Sequence, residues 1–375
     1  MSVSARLPGW LRGTLHLGET EVERLQRVRI PSRALVLFSR QFVVLLRGGV
    51  PLVQCLHALC LQDEYPDLGL VLVEVTRRVE GGHRLSEALA NFPGVFSKIV
   101  VVMVQIGEKT GSLDDSMDRL AGWLERDGEL MQRVRSALTY PAFIMALTLV
   151  LTLGLFYGVM PAFLGIFQDM HVELPLITRI VVAFTLAVRN PLAWLVGGLA
   201  LGLGWRQLKR TWADERGRVV LYRAATRLPV LGAILWNGSS ARFCCAVSAL
   251  LMSGSNLQSS LRLGAAVSGS PVLDRDVVPL SNAVMNGIQP SEYMMLHPAI
   301  YSRTMTHMAA AGEEASRLPE MFARASEFHG LEMESQVDAL KAALEPMMLS
   351  AVAFIVGTII FAVFLPLYGF LNKIS

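Results

Sequence analysis

Two stretches of the chain lose all polar patterning. Residues 142–167 and 347–371 carry no charged side chain. At about 1.5 Å per helical residue, each run exceeds the roughly 30 Å hydrocarbon core of a bilayer. A third apolar run, Pro191 to Trp205, is shorter. Ile180 to Val188 extends it upstream, but Arg189 and Asn190 interrupt it, which places Arg189 near a membrane surface with its head in water. The remaining sequence has helical spacing. Phe38, Phe42, Leu45, Leu46, Val50 and Val53 recur on one face, which puts Leu45 and Leu46 in a core. Gly48, Gly49 and Pro51 stop that helix, and Pro66 and Gly81–Gly82 punctuate the next ones. A further helix starts at Ser86 or an adjacent residue and stops at Pro93–Gly94. No alternating strand pattern persists. The pattern predicts an all-α polytopic membrane protein, with helical bundles joined by spanning helices.

The chain also repeats itself. Phe38, Leu45-Leu46, Gly49, Leu52 and Leu56 reappear 205 positions later as Phe243, Leu250-Leu251, Gly254, Leu257 and Leu261. The same offset carries Gly82, Ser86 and Glu87 onto Gly287, Ser291 and Glu292. It carries Gly107-Glu108 onto Gly312-Glu313, Pro141 onto Pro346 and Pro161 onto Pro366. A constant offset over so many landmarks marks a duplicated unit: one helical bundle followed by one span. The run Pro191–Trp205 then returns the chain so that both copies enter the membrane in the same direction.

Charge orients this arrangement. Arg126, Arg133 and Arg135 precede the first span, Arg206, Lys209, Arg210, Arg216 and Arg218 follow the second, and Lys341 precedes the third. The segment 168–190 balances Arg179 and Arg189 against Asp169 and Glu173. The excess of basic residues puts both large polar segments in the cytoplasm. Composition agrees with membrane residence: 53% of residues are hydrophobic and 17% charged, against about 25% charged in soluble domains. A net charge of +3 with no basic run gives no footprint for nucleic acid. Met1 to Arg33 has no unbroken apolar run and no signal peptide is expected there. Cys55, Cys60, Cys244 and Cys245 form no CxxC pair and read as reduced core residues. The seven histidines show no metal or Ser-His-Asp context. No catalytic residue, cofactor or metal ligand is assigned.

Gly107-Glu108-Lys109-Thr110-Gly111-Ser112-Leu113-Asp114 sits between two helices. Gly107 or Gly111 suits the left-handed residue that ends a helix, and Ser112 or its neighbour suits the cap of the next. Lys109 follows Glu108 and not glycine, so this is no phosphate-binding Walker loop. Glu108 and its repeat Glu313 have two readings, a structural one at a helix end and a docking one on a cytoplasmic face. Glu345, before Pro346 at the mouth of the last span, is either a solvated interfacial carboxylate or a contact for a membrane helix.

Taken together, several segments resemble the inner-membrane platform proteins of type II secretion and type IV pilus assembly. They are Phe38-Ser-Arg-Gln, Leu45-Leu46-x-Gly48-Gly49-Val50-Pro51-Leu52, Gly82-x-x-Leu85-Ser86-Glu87-Ala88-Leu89, Phe92-Pro93-x-x-Phe96, Gly107-Glu108-x-x-Gly111-x-Leu113-Asp114, Tyr140-Pro141, Leu174-Pro175-x-x-Thr178 and Leu344-Glu345-Pro346. The resemblance covers Ala34 to the C-terminus. The second copy departs from the first: Ser316 replaces Gly111, and Cys245-Ala246 replaces Arg40-Gln41. The resemblance implies a scaffold that is no enzyme. It would couple a cytoplasmic assembly ATPase to insertion of pilin or pseudopilin subunits into a filament, beside other inner-membrane assembly proteins and copies of itself. Glu108, Gly107, Gly111, Glu313 and Glu345 are the candidate docking residues. The alternative class is a small membrane transporter or channel subunit.

The expected division is a weakly structured segment over 1–37, a cytoplasmic bundle over 38–140 able to fold alone, and a span over 141–167. A periplasmic loop follows over 168–190, then a second span over 191–206 with a start as early as 180. A cytoplasmic segment over 207–345 holds the second bundle (243–345), and the last span covers 346–371.

Overall fold

The computed structural model describes residues 24–26, 28, 30–60, 65–169 and 175–374. Most of the N-terminal segment expected over 1–37 and the middle of the 168–190 loop lie outside the described residues. Every regular element described is helical. The chain divides into two compact units, residues 1–132 with 231–334, and residues 133–230 with 335–375.

In the first unit the duplication is visible helix by helix. The first copy has α1 (Ser32–Arg47), α2 (Leu52–Leu59), α3 (Pro66–Glu80), α4 (Leu85–Ala90), α5 (Lys98–Thr110) and the start of α6 (Leu113–Gly154). After α6 the chain continues through a π-turn (Leu155–Val159), α7 (Met160–Asp169), α8 (Leu176–Arg189), α9 (Pro191–Ala213) and α10 (Glu215–Thr226). The second copy follows as α11 (Pro229–Met252), α12 (Leu257–Ser268), α13 (Pro271–Met285), α14 (Pro290–Leu296), α15 (Arg303–Glu314) and α16 (Leu318–Ile374). Prolines at the first position of α3, α13 and α14 lose no hydrogen bond, because the first amides of a helix have no intrahelical acceptor.

Helix α1 buries Ala34, Leu35, Phe38, Phe42 and Val43 as one stripe. Phe38 stacks on Phe42 at 5.6 Å and tilts against Phe96 at 6.1 Å. Leu45 and Leu46, expected in the core, share the face of Phe38 and Phe42 but stand in the last turn of α1, where they are only partly buried and pack on the edge of the core. The second copy keeps Phe243, Leu261 and Phe322 in a core of its own. The first core, however, is closed by Cys245, Ala246, Ala249 and Leu250 from α11. The copies therefore pack against each other inside one unit. All four cysteines are free and buried, and burial pushes the Cys60 thiol up to about 11. His329 of α16 is buried between Ser302 Oγ at 2.7 Å and Asn237 Oδ1 at 2.9 Å.

The second unit is built around Phe156, Met160, Val181, Ile359, Ala362 and Val363. The stretch read as a loop over 168–190 contains α8, a fourteen-residue helix that starts after Pro175. Its buried residues Thr178, Val181, Thr185 and Val188 are spaced three and four apart, the stripe of a packed helix. Thr178 Oγ1 donates to the Ala362 carbonyl at 3.0 Å. The Val188 carbonyl lies in the last turn of α8, where it has no intrahelical partner. Tyr157 Oη and Trp194 Nε1 both donate to it, at 2.7 and 2.6 Å. The π-turn stands just ahead of Pro161; widening the turn there relieves the clash of the proline ring with the preceding carbonyl.

Among the described residues three helices are long and apolar enough to cross a membrane: Leu113–Phe163, Val230–Met252 and Leu318–Pro366. The most apolar windows of the first and third are only 11% and 17% buried within the fold, so their side chains need another apolar medium. That of Val230–Met252 is 61% buried, because this helix carries Phe243, Cys244, Val247 and Leu250 into the protein cores.

Candidate functional site

The Gly-Glu motif is where both copies build the same constellation. Helix α5 ends at Gly111, whose φ of 70° is left-handed. The amides of Gly111 and Ser112 both return to the Gly107 carbonyl, which closes the helix and reverses the chain into α6. Gly107 itself is helical and buried. A Cβ there would stand 2.9 Å from Ser116 Cβ and 3.0 Å from Leu113 Cα, so only glycine lets α5 approach α6 this closely. In the second copy a Cβ on Gly312 would meet Leu318 Cα at 2.9 Å and Met321 Cβ at 3.1 Å. Ser316, the counterpart of Gly111, keeps the left-handed turn at φ 54° without glycine. The Arg317 amide bonds the Gly312 carbonyl at 2.8 Å. The departure from the repeat thus changes the residue and keeps the turn, at the steric cost a side chain meets in that region.

This geometry fixes where the glutamates point. Glu108 Oε2 accepts from Ser86 Oγ at 2.5 Å and Oε1 accepts from the Ser86 amide at 3.3 Å. Glu313 accepts from the Ser291 amide at 2.9 Å and from Ser291 Oγ. Ser86 and Ser291 are the second residues of α4 and α14. Their amides are among those a helix start leaves unpaired, and a carboxylate there also meets the positive end of the helix. Each glutamate therefore clamps the start of a short helix from 22 residues away. Both carboxylates are partly buried. Ser86, read from sequence only as a helix start, and its repeat Ser291 are the other half of each clamp. The shared offset of the two Ser–Glu pairs was the signal for it. Glu345 lies on the exposed side of α16 and belongs to the second unit, whereas Gly107, Glu108, Gly111 and Glu313 belong to the first.

Away from the clamp the copies diverge. Arg40 bonds Glu125 through Nε and Nη2 at 2.7 and 2.5 Å and Asp118 through Nη1 at 2.6 Å. Arg47 reaches Asp118 at 3.0 Å. The hydrogen bonds from Arg40 hold the Glu125 carboxyl below its ordinary range. In the second copy Cys245 stands where Arg40 does and Ala323 where Asp118 does, so this network exists once. The second copy has its own polar core: Tyr301 Oη donates to Asp276 Oδ2 at 2.9 Å, and burial raises the phenol far above its ordinary range. Among the described residues no cluster of His, Cys, Asp and Glu could hold a metal ion.

Comparison with known proteins follows the same duplication. The family model for protein F of the type II secretion system matches twice, over residues 38–161 and 243–366. The chain is 33% identical over 358 residues to the type IV pilus assembly protein PilC of Thermus thermophilus, covering 93% of this chain and 87% of that protein. It is 32% identical over 357 residues to the type II secretion system protein F of Xanthomonas campestris pv. campestris, covering 94% and 86%. Against PilC of Pseudomonas aeruginosa the identity is 28% over 342 residues, covering 91% of each.

Proposed function

The chain belongs to the type II secretion system protein F family, and from that premise we propose that it is the inner-membrane platform of a type II secretion or type IV pilus machine. In this reading the unit holding both bundles faces the cytoplasm and docks an assembly ATPase. The apolar helices contact pilin or pseudopilin subunits and pass them into a growing filament. Helices α6 and α16 cross the membrane in their apolar halves. The exposed apolar run of α9, with Leu195 and Leu201 open to the surroundings, makes the return crossing. Val230–Met252 stays with the bundles, since crossing would strip Phe243 and Leu250 from their cores.

The observation that carries this reading is the repeat itself: each copy feeds a polar bundle directly into an apolar helix, so motion of a bundle is delivered to a span through an unbroken backbone. The motif glutamates enter as positioning residues. By clamping α4 and α14, Glu108 and Glu313 fix the surface shown to the ATPase, while exposed Glu345 is free to meet a membrane helix at the bilayer boundary.

The test is capture of the partner by the full chain. Detergent-purified protein is expected to co-elute with a hexameric assembly ATPase from the same cell. A photocrosslinker placed in cells at exposed Lys98 is expected to trap that ATPase. Separate elution together with no crosslink from Lys98 would remove both the docking role and the cytoplasmic orientation.

A further inference from the structure

The two copies differ most where they face each other. A cavity of about 290 Å³ opens between α1 and α6 of the first copy and α11 and α16 of the second. Its walls include Arg40, Asp118, Arg119, Trp123, Arg126 and Cys245. Arg119, Trp123 and Arg126 are four and three residues apart and so share one face of α6. Three guanidinium groups thus surround the space against one lining carboxylate.

These cations are unequally engaged. Arg40 is held by Glu125 and Asp118. Arg126 donates to the Cys245 sulfur at 3.9 Å, too long for a strong hydrogen bond, and lies near enough to Glu125 to act on it through space without an ion pair among the described residues. Arg119 has no carboxylate at ion-pair distance among the described residues. The indole N–H of Trp123, on a side chain only 7% exposed, is buried with no acceptor among them either. That nitrogen is closed off from the cavity, so Trp123 contributes a ring to the wall and no donor. The second copy carries none of this. Phe328 replaces Trp123, Leu331 replaces Arg126, and Arg324, the counterpart of Arg119, is paired with Glu327.

We propose that this cavity is a binding site for a small phosphate-bearing anion. Arginine forks match the paired oxygens of a phosphate, and a phosphate offers enough acceptors to take the Arg119 and Arg126 guanidinium groups together. The volume lies at the lower end of small-molecule sites, which run from roughly 300 to 1,000 Å³. That admits inorganic phosphate or the phosphate of a mononucleotide and excludes a bulky ligand. Because the walls come from both copies, an anion there ties the two bundles together and stiffens the unit. The site is independent of the platform role.

The test uses the full chain in detergent, with inorganic phosphate and a nucleoside monophosphate titrated at constant ionic strength. A saturable rise in melting temperature is expected, with an apparent affinity that weakens as salt is raised. Arg119→Gln combined with Arg126→Gln is expected to weaken binding by about tenfold or more, which corresponds to about 1.4 kcal/mol. Arg126→Gln alone is expected to weaken binding about threefold or more. If the double variant does not fold, Arg126→Gln decides alone. Saturation by the mononucleotide at lower concentration than by phosphate identifies a nucleotide as the source; equal concentrations identify the free ion. Absence of saturable stabilisation by either probe overturns the proposal, as does unchanged binding in the variants. So does an acidic peptide that displaces both probes at lower concentration, since the site would then receive a protein carboxylate.

Discussion

The Ser86–Glu108 clamp makes a sharp demand on stability. Ser86 is 3% exposed and its hydroxyl meets a carboxylate at 2.5 Å, with its amide at 3.3 Å from the other oxygen. Hydrogen bonds to charged groups contribute about 1.5–3 kcal/mol and neutral ones about 0.5–1.5. Glu108→Gln keeps the shape and an acceptor but loses the charge, so it should cost about 1–2 kcal/mol. Ser86→Ala leaves the backbone amide to the carboxylate and should cost about 1 kcal/mol. The double variant should lose less than the sum, with a coupling on the order of 1 kcal/mol, because the charge-assisted 2.5 Å bond that Glu108→Gln weakens is the one that Ser86→Ala removes. In a unit of this size 1 kcal/mol lowers the melting temperature by about 2–4 °C. Circular dichroism melts of the four proteins in one detergent give the cycle. Ser291→Ala and Glu313→Gln should reproduce it in the second copy. Additive single effects, or singles that melt with the wild type, would refute the clamp. Lost ATPase binding in Glu108→Gln at an unchanged melting temperature would show instead that the charge acts outward.

Two further outcomes follow from the same unit. Gly107→Ala and Gly312→Ala each place a methyl about 2.9 Å from a fixed neighbour. Each should destabilise by about 1–3 kcal/mol, read as a lower melting temperature, whereas Gly128→Ala, with open space around it, should not. Burial holds His329 neutral, with its pKa lowered to about 4. The unfolded chain, with an ordinary pKa near 6.5, therefore binds the extra proton first as pH falls. Stability from this group is complete above about pH 6.5 and is lost toward pH 4, by on the order of 3 kcal/mol. His329→Gln should flatten that part of the melting temperature against pH, and a variant that keeps the full slope would refute the assignment.

Much of this protein was legible in one dimension. Apolar runs without charge can be satisfied only by lipid or a large core, and the constant offset between Phe38 and Phe243 needs no coordinates. Gly107 and Gly111 could be seen to matter, because glycine between two helical patterns points to a turn or a close approach. Which glycine did which was not legible: Gly111 supplies the left-handed turn, while Gly107 stays helical and gives way to Ser116. Periodicity also misjudged depth. It put Leu45 and Leu46 in the core, but burial also depends on how far along the helix its neighbours reach, and the rings of Phe38, Phe42 and Phe96 pack together one to two turns before the two leucines.

The sequence by itself determined the helical class, the duplication and the long apolar segments, because each follows from local spacing or from identity at a fixed offset. Only the tertiary structure decided what the glutamates touch, that α11 closes the first core, and that Arg119, Trp123 and Arg126 face the second copy. Those depend on residues far apart in the chain arriving at the same place. Ser86 and Glu108 are 22 positions apart, and Arg126 and Cys245 are 119 apart. Hydrogen bonds and packing act over a few ångströms of space, and the linear pattern records only neighbours along the backbone.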